Sequence, residues 1–307
     1  MLVYWISMSS FISTSLISVI KLMSHFSFPV VQKIGQAVGR NLLRMDRRTQ
    51  DAITKNLALC FPEMTAAERN AIAKKRLGYM GQTLAEMSHL WVKPASESVG
   101  LIVPPSSSQG VDNQVFLDAL ADDGGVIILA PHLGNWEMMS YYVSQYRKMT
   151  AMYRPQKDEK LNQFILTARQ KAGSELAPTN RRGVMQLMKA LKSNNGMVGI
   201  LPDQVPQKGS GVFAPFFGIP AYTMTLAHQL ALKTNAKVFV GSAFQVQGGF
   251  SVKIVPVAEA FYNEDEVVSA TSLNQTIESL IRLYPEQYQW EYKRFKLQPE
   301  EQESLYK

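Results

Sequence analysis

The chain has 307 residues, enough for one large domain or two small ones. Its 46% hydrophobic, 10% aromatic and 19% charged residues exclude a disordered tail, a collagen-like fibre and a coiled-coil rod. The single cysteine, Cys60, excludes an internal disulfide framework and a zinc site built from several thiolates, and points to a reducing compartment. The formal charge of +7 comes from 32 Lys and Arg against 25 Asp and Glu. Its excess lies near the N-terminus, where the first 61 residues hold seven basic side chains and two acidic ones.

Residues 1–20 carry no charge: thirteen are apolar and seven are Ser or Thr. That length just spans a bilayer core of about 30 Å, while six serines, with Tyr4 and Trp5, also suit a helix lying at headgroup level. Residues 1–28 are therefore expected to form a hydrophobic helix that anchors the chain to a membrane, spanning it or lying in its interface, with a buried helix as the competing reading. No positive residues precede the apolar stretch, which argues against a signal peptide.

Residues 30–60 read as one helix stopped by Pro62. On it Arg40, Arg44, Arg47 and Arg48, at i, i+4, i+7 and i+8, would share one face that attracts anionic lipid. The positive-inside rule then places this face and everything after it in the cytoplasm. Nucleic acid is not an expected partner, because the sequence has no RNP-like aromatic strand, zinc-finger spacing or basic run of about 5–8 residues. Thr65-Ala-Ala-Glu68 is a capping box for a second helix reaching about His89, with an apolar stripe from Ile72 through Leu77, Met80, Leu84 and Met87 to Leu90. Residues 93–109, with three prolines and a Ser106-Ser107-Ser108 run, read as a loop.

From Gly124 onward short apolar runs alternate with amphipathic stretches. Strands are expected at 126–130, 150–153, 197–201 and 238–244, with helices near 135–147, 158–172, 182–193 and 223–234 between them. Residues 251–257, after Gly248-Gly249, read as an antiparallel edge strand. The fold class is α/β, a largely parallel sheet flanked by helices, with no internal repeat. An anchor at 1–28 would precede one domain at 29–307, helical over 29–92 and with its α/β core at 110–307.

The stretch Pro131-His132-Leu133-Gly134-Asn135-Trp136-Glu137 directly follows the first strand, where open α/β sheets bind ligands. A carboxylate on one imidazole nitrogen fixes the tautomer and leaves the other free to take a proton from a hydroxyl. The competing reading is a capped strand-to-helix turn holding a satisfied His. His25, His89 and His228 lie elsewhere in the pattern. There is no H-E-x-x-H, G-x-S-x-G, P-loop or G-x-G-x-x-G. Transfer of a group to an external hydroxyl is the chemistry this inventory permits, with neither metal nor cofactor implied.

Further blocks carry a resemblance over nearly the whole chain. They are Asn56-Leu57 with Cys60-Phe61-Pro62-Glu63, the segment His132 to Glu137, Tyr153-Arg154-Pro155, Arg169 and Leu201-Pro202-Asp203-Gln204. Phe213-Ala214-Pro215-Phe216-Phe217-Gly218, Pro285-Glu286-Gln287-Tyr288-Gln289-Trp290 and Lys293-Arg294-Phe295-Lys296 complete the set. In this order, after an uncharged N-terminus, they resemble the late acyltransferases of lipid A biosynthesis. Tyr292-Lys293 departs from the His-Arg pair expected there.

The resemblance implies a fold like that of the glycerolipid acyltransferases and a location at the inner membrane. It also implies acyl carrier protein as donor, and a phosphorylated lipid A precursor and membrane lipid as further partners. It makes His132 the general base and Glu137 its orienting partner. Arg154 and Arg169 would bind acceptor phosphate or carboxylate, or form surface ion pairs. Asp203 and Gln204 would contact the acceptor, although an Asp there could equally hold an Arg or form a turn. Phe213, Phe216 and Phe217 would line an acyl groove or belong to the core. Two other readings stay open: a glycerolipid or phosphatidylinositol mannoside acyltransferase, and a non-catalytic membrane-peripheral binding protein.

Overall fold

The computed structural model describes residues 10–42, 46–299, 303 and 305–306. Four helices come first: α1 (Ser10–Met23), α2 (Phe28–Leu42), α3 (Arg47–Cys60) and α4 (Ala66–Val92), then short α5 (Ala95–Val99) and α6 (Gln114–Ala119). The α/β part runs β1 (Val126–Leu129), α7 (Trp136–Val143), β2 (Met149–Tyr153), α8 (Glu159–Lys171), β3 (Ser174–Pro178), α9 (Arg181–Leu191) and β4 (Met197–Ile200). It continues with the hairpin β5 (Gly211–Phe216) and β6 (Ile219–Met224), α10 (Leu226–Thr234), β7 (Lys237–Val246), β8 (Gly249–Pro256) and α11 (Glu266–Leu283).

The main sheet has the order β3-β2-β4-β1-β7-β8. Its first five strands are parallel, and β8 closes one edge as the antiparallel half of a hairpin with β7. Side chains alternate across β1: Ile127 and Leu129 enter the core shared with α9, α10 and α11, while Val126 and Ile128 enter the core under α6 and α7. Both faces are covered, which explains why β1 and β4 are continuous apolar runs. The segment expected as a loop at 93–109 contains α5 and pairs Ile102 with Phe250 beside β8.

The N-terminal expectations need two corrections. The helix expected over 30–60 is two helices, because the Asp46 carboxylate accepts the backbone N–H groups of Arg48 and Thr49 and starts α3 afresh. Arg40 therefore sits in α2 while Arg47 and Arg48 open α3, so they share no continuous face; Arg44 lies outside the described residues. Secondly, α1 has 14 residues, and no helix among the described residues is long and apolar enough to cross a membrane. Residues 1–9 of the expected anchor lie outside the description. The inner face of α1 rests on the α/β part: Ile17 packs against Tyr153, Leu161 and Ile165, and Lys160 Nζ donates to the Thr14 hydroxyl.

Helix α4 begins with the expected capping box. Against it lies α2, close enough that a Cβ on Gly39 would collide with the Leu77 carbonyl oxygen and one on Gly81 with that of Gly35. Phe28, at the start of α2, packs against the His89 ring of α4 and Phe250 of β8, tying the helical layer to the sheet edge.

Candidate active site

Two neighbouring strands build the site by register. β1 and β4 are parallel with Leu129 beside Ile200. Three residues further along each chain, the turns that leave the sheet bring His132 next to Asp203. His132 Nδ1 lies 2.8 Å from Asp203 Oδ1, and the His132 backbone N–H donates to Oδ2 at 2.9 Å. Asp203 is buried and His132 nearly so. Burial alone would push the Asp203 carboxyl up; the His132 charge and both hydrogen bonds, with Arg294 beyond, outweigh it and hold the group below the usual aspartate range. A proton on Nδ1, directed at this carboxylate, would leave Nε2 its lone pair, and Gln204 Nε2 lies 3.2 Å from Nε2.

Glu137 stands elsewhere. It is the second residue of α7, and its buried carboxylate receives Nε and Nη2 of Arg169, from the last turn of α8, with the Trp91 indole N–H at 3.4 Å. The resemblance pairs Glu137 with His132, but the carboxylate beside the His132 ring in the structure is that of Asp203. Both nitrogens of the His132 ring and both oxygens of Glu137 have these other partners. For Arg169 the ion-pair alternative is the one seen: two of its three guanidinium nitrogens contact the Glu137 carboxylate, and its Cζ lies 5.2 Å from the Tyr153 ring centroid. Arg154 follows β2 on the exposed side of the next turn.

The turn between His132 and Glu137 is clamped from several directions. Gly134, with φ of 65°, lies against the Ala243 backbone of β7, and Asn135 N–H donates to Ala243 O at 2.9 Å. From the C-terminal segment, Gln289 N–H donates to His132 O at 3.1 Å, while Gly134 N–H donates to Gln287 O at 3.1 Å. Below it lies Glu86 of α4, a fully buried carboxylate that accepts amide N–H groups from Gln32, Gln82, Asn135 and Gln245. Burial pushes the Glu86 carboxyl up despite these four donors. Sequence reading missed Glu86, Gln287 and Gln289 as supports of the site. The charge of Glu86 inside the apolar stripe of α4 was the available signal.

Phe216 is fully buried against Tyr288, Phe295 and Phe217, and Phe217 packs on Phe61 and Trp290. Phe213 packs on Tyr222. This aromatic set joins the β5–β6 hairpin to α3 and the C-terminal segment, and neither cavity near the site includes it. One, of about 610 Å³, is bounded by α3, α4, Trp136 and residues 289–296. A smaller one, of about 40 Å³, lies on the other side of Trp136 among Met139, Met149, Met152 and Leu176, with Glu137 and Arg169 in its wall. The Trp136 ring lies 4.8 Å from that of His132. Cys60 is buried, which pushes its thiol up and away from nucleophilic use. Among the described residues no group of three His, Cys, Asp or Glu side chains could hold a metal ion.

A histidine held by a buried aspartate at the carboxyl ends of the two central strands, beside a large cavity, defines an α/β site suited to proton abstraction from a hydroxyl. Comparison with known proteins narrows the class. The chain matches the family described as bacterial lipid A biosynthesis acyltransferase over residues 2–297, and it belongs to that family. It is 26% identical to the lipid A biosynthesis lauroyltransferase of Escherichia coli (strain K12) over 293 residues, covering 94% of this chain and 93% of the relative. Similarity extends to two more proteins of that organism. The palmitoleoyltransferase is 27% identical, covering 91% of this chain and 89% of the relative; the myristoyltransferase is 25% identical, covering 92% and 86%. Family membership supports acyl transfer onto lipid A.

Proposed function

We propose that the protein transfers a fatty acyl chain from an acyl carrier protein thioester to the hydroxyl of a hydroxyacyl chain on a phosphorylated lipid A precursor. The observation that carries this reading is the placement of His132, with Nδ1 2.8 Å from Asp203 Oδ1 and Nε2 3.2 Å from Gln204 Nε2, which suits a ring protonated on Nδ1 with Nε2 as acceptor. The substrate hydroxyl gives its proton to Nε2 as its oxygen attacks the thioester carbonyl carbon. Asp203 stabilises the imidazolium that forms. Collapse of the tetrahedral intermediate breaks the C–S bond, and the departing thiolate takes the proton back from His132. The positive end of α7, which starts at Trp136, supplies a dipole of the sign an oxyanion requires. Glu137 and Arg169 act as positioning residues that fix α7 against α8 and so hold the turn.

In this reading the protein works at the cytoplasmic face of the inner membrane. Leu22 at the end of α1, Phe26 in the turn after it, and Val30, Ile34, Val38 and Leu42 along α2 are exposed and follow one another every four residues. Exposed Lys21, Lys33 and Arg40 accompany them. An apolar strip beside basic residues is the pattern of a helix lying in an anionic lipid interface. The test is mass spectrometry of products formed by the purified protein from acyl carrier protein thioester and lipid A precursor, run beside glycerol 3-phosphate as acceptor. An acylated lipid A precursor is expected; acylation of glycerol 3-phosphate alone would overturn the proposal.

A further inference from the structure

The 610 Å³ cavity combines two chemistries. Ala52, Met80, Leu84 and the Trp136 ring give it apolar walls, and its remaining surface holds four cations, Arg48, Arg76, Lys293 and Lys296, against Asp46 and Glu291. Internal pairing cancels part of that charge. Arg76 and Glu291 are both buried and joined by two hydrogen bonds, Nε to Oε2 at 2.9 Å and Nη2 to Oε1 at 2.8 Å. The Asp46 carboxylate is occupied as the cap of α3, accepting from two backbone N–H groups and the Thr49 hydroxyl. The two lysines differ. Lys293 Nζ lies 5.3 Å from the Tyr306 ring centroid and Lys296 Nζ 5.3 Å from that of Tyr292, and among the described residues neither forms a salt bridge. An aromatic face positions an ammonium group without neutralising it.

We infer that this cavity is the seat of an amphiphile bearing a phosphate group, with Lys293 and Lys296 taking the phosphate and the Met80, Leu84 and Trp136 walls taking the start of its apolar part. Its inner wall belongs to the reaction site, because Trp136 packs on the His132 ring and Gln289 donates to the His132 carbonyl. Its exposed rim begins at Asp46, four residues after Leu42, the end of the exposed apolar strip on α2. A phosphorylated lipid could therefore pass from the interface into the cavity and present a hydroxyl to His132 while its phosphate stays at the lysines. The inference rests on the proposed acyl transfer for the identity of the amphiphile as the acceptor. A phosphate could also come from the donor's phosphopantetheine arm. The mixed apolar and cationic walls favour the lipid.

The test uses the full chain and two readouts. In calorimetry, decyl phosphate below its micellar concentration is expected to bind at least about 10-fold more tightly than neutral decyl glucoside. The Lys293→Gln/Lys296→Gln variant should lose that preference, and Lys293→Arg/Lys296→Arg should keep most of it. Equal binding of decyl phosphate to wild type and the Gln variant, with unchanged thermal melting, overturns the inference. In kinetics, the Gln variant should raise the Michaelis constant for the phosphorylated acceptor about 10-fold or more and leave that for the acyl donor unchanged; a rise confined to the donor assigns the lysines to the phosphopantetheine phosphate and overturns it. If wild type binds decyl phosphate through these lysines yet acylates no phosphorylated lipid, the site stands and the acyl-transfer reading fails.

Discussion

Asp203→Asn changes little in shape and forces a choice between two contacts. The carboxylate accepts from both His132 Nδ1 and the His132 backbone N–H. An amide offers one acceptor and one donor. If its NH₂ faces the backbone N–H, two donors meet in a buried site, at a cost of about 1–3 kcal/mol. If it faces Nδ1, that nitrogen must become the acceptor, the ring proton moves to Nε2, and the base loses the lone pair that takes the substrate proton. The second route removes the base outright, and in both the imidazolium loses its carboxylate counter-charge, so turnover should fall about 10²–10⁴-fold, while the Michaelis constant for the donor changes little. The assay is steady-state transfer of labelled acyl chain, with thermal melting to confirm that the variant is folded. Asp203→Asn combined with His132→Ala should be hardly worse than His132→Ala alone, because the pair acts as one unit. Turnover within about 3-fold of wild type in Asp203→Asn, alongside a collapse in Glu137→Gln, would refute the reasoning and return the orienting role to Glu137.

That contrast marks how far the site could be read from sequence. His132 was found because a strand, a Pro and a His in a row place an imidazole at the carboxyl end of the sheet. Its partner was sought five residues away in sequence and lies 71 residues away, on the neighbouring strand. The information was present in another form: both strands were expected, and each is followed three residues on by a polar side chain after a proline, Pro131-His132 and Pro202-Asp203. What sequence does not state is strand order. Only the adjacency of β1 and β4, with Leu129 beside Ile200, converts equal offsets into a hydrogen bond.

The fold divides in the same way. Strands β1, β2, β4 and β7 and the antiparallel edge β8 were readable, since buried strands carry their apolar runs openly. β3, five residues containing Glu175 and Pro178, has too little apolar signal to be seen alone and exists because β2 pairs with it. The β5–β6 hairpin was hidden by its turn, which uses Phe217 and Gly218 at φ 50° and 75° where Asn-Gly would have announced it. The Phe217 N–H donates to the Glu278 carboxylate at 2.7 Å, which gives the left-handed phenylalanine a partner on α11. The break between α2 and α3 was masked because arginines at helical spacing outweighed Asp46, a capping residue four positions after Leu42.

Three further outcomes are expected. Glu86→Gln sets an amide donor against the amide donors of Gln32, Gln82, Asn135 and Gln245, and should cost about 1–3 kcal/mol in urea unfolding; unchanged stability would remove Glu86 as the hub under the active-site turn. Val30→Asp with Val38→Asp, both at exposed positions, should release protein from anionic vesicles in a sedimentation assay without lowering the melting temperature, and full retention would contradict an interfacial α2. The last concerns acid. Because the folded Asp203 carboxyl is held below its unfolded value of about 3.9, its charged contacts stabilise the fold fully above that pH and lose this contribution as pH falls through the lower folded value. Asp203→Asn has no such titration, so the stability gap between wild type and variant should narrow as pH falls below about 4. Urea unfolding at pH 7, 5, 4 and 3.5 measures the gap directly, and one that stays level to the lowest pH would mean that the Asp203 carboxylate gains nothing from His132 in the folded protein.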